Sequence, residues 1–144
     1  MSSIMTTSLK TDRLVAGMAP VLQPGLFVFC SVLHHADNRE ALAQAHGMQV
    51  EDEGLSLILP RAEAHRLGLT YELPMRQISL MANVPLGGVA LTAAVTAALT
   101  HMDVPAYVAA ASMHIHLYVP SDLADEALDT LRSLQRDARE RLAA

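Results

Sequence analysis

The stretch LPMRQISLMANVPLGGVALTAAVTAALTHMDVPAYVAAASMHIHLYVP (residues 73–120) carries only two formal charges, Arg76 and Asp103. Its first part alternates, with Ile78, Leu80 and Ala82 on one side and Gln77, Ser79 and Met81 on the other, which is the period of a half-buried strand over 76–82. Asn83, Val84, Pro85, Leu86, Gly87 and Gly88 then break the pattern with loop residues. Residues 89–102 read as a helix that is apolar nearly all round. Val89, Leu91, Val95 and Leu99 supply bulk, while Ala90, Ala93, Ala94, Ala97 and Ala98 let neighbours approach closely. Such a helix needs cover on more than one side, and a second module or a second subunit is expected to provide it. Strands follow at 106–111 and 113–119. The uncharged run from 77 to 102 is long enough in principle to enter a bilayer, but the 83–88 loop would leave backbone groups unsatisfied in lipid. The helix alone spans about 21 Å against a hydrocarbon core of about 30 Å. No membrane partner is expected.

Outward from this centre the same order recurs. The first half reads as a helix at 9–18, a turn at 20–25, a strand at 26–33, a short helix at 38–45, strands at 48–51 and 55–59, and a short helix after Pro60. SLILPRAEAHRL (56–67) and HLYVPSDLADEAL (116–128) are both strand, proline, then helix, as suits the fixed φ of proline at a helix start. The last helix, 121–142, keeps Leu123, Ala127, Leu128, Leu131, Leu134, Ala138 and Leu142 on one face; its charges read as a solvated surface. Each half is therefore strand–helix–strand–strand–helix, the ferredoxin-like plan without its last strand. A first strand left bare on one edge invites pairing. The expected architecture is α+β: two ferredoxin-like repeats, 1–70 and 71–144. Their first strands pair to make one continuous antiparallel sheet of about six strands, with helices on one face.

Composition narrows function. Fifteen acids against ten basic residues, and only five aromatics with no Trp, supply neither the basic face nor the stacking platform of a nucleic-acid binder. Cys30, the single cysteine, sits in an apolar run and reads as an inert core thiol; Lys10, Asp12 and Arg13 interrupt any leader-like stretch, so a cytoplasmic location is expected. His114 and His116 share one face of a strand, yet two imidazoles do not make a metal site and no acid or Cys stands beside them. No nucleophile elbow, phosphate loop, dinucleotide fingerprint or zinc-protease motif occurs, so neither catalysis nor a cofactor is expected. The 83–88 loop leads to a helix start, where free N–H groups favour an anion and Gly87 and Gly88 admit a ligand close to the backbone. The same glycines also suit a plain tight turn.

PGLFVFCSV (24–32), EGLSLILPRAEAHRLGL (53–69) and ISLMANVPLGGVALTAAVTAALTHMDVPAYVAAASMHIHLYVPSDLADEAL (78–128) together resemble the small tandem ACT-like proteins of bacteria and, more distantly, the cytosolic arginine sensors. The resemblance implies two ACT-like modules, a homodimer, and a small metabolite such as an amino acid bound at a module or subunit interface. The residues it assigns to that ligand are Asn83, Val84, Pro85, Leu86, Gly87, Gly88 and Val89, with His114 and His116. The loop departs from the family pattern: it lacks the usual hydroxyls and carboxylate, and Pro85 has no N–H. A ligand-free interaction module and a metal-dependent enzyme using His114 and His116 are the alternative readings.

Overall fold

The computed structural model describes residues 2–82 and 88–144. In chain order the elements are α1 (Ser2–Ala16), β1 (Val21–Leu22), β2 (Phe27–Val32), α2 (Arg39–Gln44), β3 (Gly47–Glu51), β4 (Gly54–Pro60), α3 (Arg61–Arg66), β5 (Met75–Met81), α4 (Gly88–His101), β6 (Tyr107–Ala110) and β7 (His114–Pro120). One 3-10 turn at Ser121–Leu123 then leads into α5 (Ala124–Ala143). The order β2-α2-β3-β4-α3 recurs as β5-α4-β6-β7-α5. All strands pair antiparallel in one sheet, ordered β3-β4-β2-β5-β7-β6, with β1 also on β5. The first strands of the two halves do meet, at Phe27 opposite Met75. The fold is the expected α+β, ferredoxin-like one.

The joint between the halves is narrower than the sequence suggests. The segment that reads as a turn at 20–25 contributes the short strand β1 before Pro24 and Gly25, the latter at φ +88°: Val21 and Leu22 pair with Ser79 and Ile78, while β2 pairs with β5 only at Phe27. A sheet joined through so few residues can bend sharply. Phe29 in β2 and Tyr107 in β6 have ring centroids 4.7 Å apart, although β5 and β7 lie between their strands. In a flat sheet those strands would stand about 14 Å apart. The helix-free faces of the two halves are thus folded toward each other.

Alternation along the strands sends one set of side chains to the helices and the other to this fold. In the second half Ile78, Leu80, Ile115, Leu117 and Val119 meet α4 through Leu91, Val95 and Leu99, and α5 through Ala127 and Leu131. Each such large side chain removed from water stabilises by about 1.5–3 kcal/mol. In the first half Val28, Cys30, Leu57 and Leu59 meet Ala41 of α2 and Ala64 of α3. Phe27, Ile58, Met75 and Tyr118 form a third small core on the helix-free side, drawn from both halves.

The chain leaves the outer face of α4 uncovered: Val89 is 79% exposed, and Ala93 and Ala97 are exposed with it. The charged side chains of α5 are exposed, as expected of a solvated face, and three residues of the helix also reach α1: Arg141 pairs with Asp12 at 2.9 Å, and both Gln135 and Arg139 donate to the Ala16 carbonyl at 2.8 and 3.0 Å. These bonds tie α5 to the C-terminal end of α1. The hydrogen bond from Arg141 also holds the Asp12 carboxyl below its usual range. Among the described residues no helix is long and apolar enough to cross a membrane.

Candidate functional site

Of the residues singled out from the sequence, Asn83, Val84, Pro85, Leu86 and Gly87 lie outside the described residues. Gly88 opens α4, where an added Cβ would meet Ile115 Cδ1 at an ordinary 3.7 Å, so packing does not demand a glycine there. Ile115 faces the helices, whereas His114 and His116, one residue to either side, face the helix-free fold. Within one chain the sheet therefore stands between Gly88 and the two histidines.

The histidine rings stack at 5.7 Å. His116 Nδ1 accepts from the Gln77 amide at 3.0 Å and lies 2.8 Å from the Ser79 hydroxyl, both of them on β5 and both buried. Burial, followed by the neighbouring His114 and His46, holds the His116 pKa below the ordinary histidine value. The cluster is thus built around a neutral imidazole, and among the described residues no group of three or more His, Cys, Asp or Glu could hold a metal ion. Because the folded pKa is depressed, the unfolded chain binds more protons as the pH drops below about 6.5, and folding stability is lost from there down through the folded pKa. His116→Asn keeps an acceptor without the titration. Its melting temperature should therefore fall less between pH 7 and pH 5 than that of the wild type, measured by circular dichroism. Parallel pH profiles would show that His116 is not the titrating group.

A cleft of about 660 Å³ lies elsewhere, between the two halves. Phe29 and Ser31 of β2 form one side, Tyr71, Glu72 and Leu73 of the connection to β5 form another, and Tyr107 and Tyr118 close it from the second half. Its volume is in the range of small-molecule sites, about 300–1,000 Å³. Tyr118 is 2% exposed, and burial pushes its phenol pKa up. Phe29 and Tyr107, by contrast, are 38% and 45% exposed. Tyr71 is fixed by Arg61, which donates to its hydroxyl at 2.9 Å, and by His65 on α3.

The backbone of β2 also faces this cleft. Arg61 N–H bonds the Leu26 carbonyl, so the alternation of an antiparallel ladder turns the groups of Val28 and Cys30 toward β4 and those of Phe29 and Ser31 outward. Past Phe27 that edge has no strand neighbour among the described residues. Four of the five aromatic residues line the cleft, yet they stand at 29, 71, 107 and 118. No spacing in the sequence connects them. Cys30 behaves as its apolar setting suggests: it is buried, and burial raises its thiol pKa.

A family model described as the ACT domain matches residues 7–76. A Vibrio cholerae protein of unknown function, described as a possible transport protein, is 30% identical; the alignment covers 89% of this chain and 96% of that one with a TM-score of 0.76. Protein Atu0741 from Agrobacterium tumefaciens is 14% identical over 81% of this chain and 87% of its own, TM-score 0.67. The ligand-free regulatory subunit of aspartate kinase from Thermus thermophilus is 10% identical over 82% and 97%, TM-score 0.61, a likeness of fold. No curated protein matches. With a family match on the first half, a relative at 30% identity along nearly its whole length and the ferredoxin-like order in both halves, the chain belongs to the ACT-domain family.

Proposed function

We propose that this protein is a non-catalytic regulatory module that binds a small metabolite in the cleft between its two halves. The observation that carries the reading is the cleft itself, where Phe29 from one half and Tyr107 from the other stand exposed around a cavity of about 660 Å³. Exposed aromatics gathered at one recess are the usual mark of a surface that a partner covers. The fold shared with an aspartate kinase regulatory subunit supports a regulatory role. A ligand lying along the touching Phe29 and Tyr107 rings, one from each half, would hold the bent sheet in one closure and so shift its population of states. Asn83 to Val89 belong to this reading as a second contact region, at the interface with another copy seated on the outer face of α4; because the sheet separates them from His114 and His116 of the same chain, those histidines would join the region from the other copy.

Thermal-shift screening with amino acids and other small metabolites tests it. A true ligand at a hundred times its Kd stabilises by about 2.7 kcal/mol, about 8 °C for a chain of this size. The shift should vanish in Tyr107→Ala. A screen without any stabilising compound counts against the proposal. It favours instead a ligand-free interaction module, for which the exposed apolar face of α4 is the specific support.

A further inference from the structure

We propose that the ligand of the cleft is an organic cation without a carboxylate, an amine or quaternary ammonium carried on an apolar body. The proposal rests on reading the cleft as a small-molecule site. Among the described residues of the lining Glu72 is the one that is charged, and no Lys, Arg or His accompanies it. Among the described residues no basic group pairs with Glu72 either; the ion pairs are Arg39–Asp37, Arg66–Glu40, Arg66–Glu63 and Arg141–Asp12. A cation entering the cleft meets an unneutralised carboxylate.

It also meets electron-rich rings. Phe29, Tyr107 and Tyr118 lie with centroids 4.7, 6.1 and 6.3 Å apart, in mutual contact, so they form one wall rather than a slot. A ligand rests along that wall. Aromatic faces carry negative potential and attract ammonium groups, most of all when water is displaced. Every lining group that could distinguish sign therefore favours a positive charge.

A carboxylate fares worse. It finds no basic side chain in the lining, faces Glu72, and has only uncharged donors, the hydroxyls of Ser31, Thr70 and the tyrosines and the backbone N–H groups of β2, to offset its desolvation. A zwitterionic amino acid satisfies its ammonium here but strands its carboxylate. The cleft thus discriminates by repulsion as well as attraction.

Four probes sharing one phenylethyl body isolate the charge: phenethylamine, phenylalanine, 3-phenylpropionate and 2-phenylethanol, each titrated into the isotope-labelled full chain while the amides of Phe29, Ser31 and Tyr107 are followed by NMR. Phenethylamine should bind about tenfold tighter than phenylalanine or 3-phenylpropionate, the sum of a cation–ring contact and a partly solvated ion pair. In Glu72→Gln the amine should weaken about fivefold while the alcohol is unchanged. An acid or amino acid that equals the amine, or an amine indifferent to Glu72→Gln, overturns the proposal. Equal binding of all four at these amides leaves the cleft a small-molecule site and removes only the charge preference. If none of the four moves these amides, both readings fall.

Discussion

Gly54→Ala is expected to lower folding stability by about 3 kcal/mol or more, the cost of forcing a side chain into backbone that cannot yield. Gly54 follows the two-residue turn joining β3 to β4, at φ +156°, where side chains are rarely found. A Cβ at this position would lie 2.2 Å from the Val32 carbonyl oxygen and 3.2 Å from its carbon, so the end of β2 must move. Flexible side-chain ends could rotate away, but a strand carbonyl held opposite Leu55 cannot do so without breaking the ladder. Urea denaturation of the wild type and the variant measures the difference. A loss under about 0.5 kcal/mol would show that β2 accommodates the methyl group freely.

Tyr118→Ala should cost about 3–4 kcal/mol, as for other large aromatic truncations in a core. Tyr118 is almost fully buried, touches Phe27 and Phe29 of the first half and Tyr107 beside it, and shares the third core with Ile58 and Met75. Its removal leaves a cavity at the floor of the cleft and loosens the contact between the folded halves. Tyr118→Phe, which retains the ring, should lose less than about 1 kcal/mol. The same denaturation measurement decides: an alanine variant as stable as the phenylalanine one would mean the two halves hold together without this ring. Were the halves a flat sheet instead, Tyr118 would be a surface residue and both changes would be nearly neutral.

Much of the fold was legible in the chain. Strict alternation at 76–82, the proline-then-helix pattern at 60 and 120, and the helix face of Leu91, Val95 and Leu99 all reappear in β5, α3, the turn before α5, and the buried side of α4. Pairing of the first strands followed from one physical consideration, that a bare edge seeks a partner. The short strand β1 was not legible, because two residues carry no period. The bond from Arg139 to the Ala16 carbonyl was equally hidden, since nothing local marks a charged residue as the cap of a distant helix.

The candidate site divides differently. His114 and His116 were visible as a pair because i and i+2 on a strand share a face, and they do share one. The cleft was invisible. Phe29, Tyr71, Tyr107 and Tyr118 come from two strands of the second half, one strand of the first and the segment between the halves, and each alone is an unremarkable aromatic.

By itself the sequence determined which elements form and which face of each is apolar, because those are properties of neighbours within a turn or two of chain. It also set the near-absence of charge over 73–120, where only Arg76 and Asp103 are charged, that makes this stretch a core. Only the tertiary structure decided how the sheet bends. That bend goes with the single paired position between β2 and β5, Phe27 opposite Met75, with the break at Pro24 and Gly25, and with rings that meet across strands not adjacent in the sheet. The cleft and its solitary carboxylate exist because of the bend, and distances between remote residues are written in no local pattern.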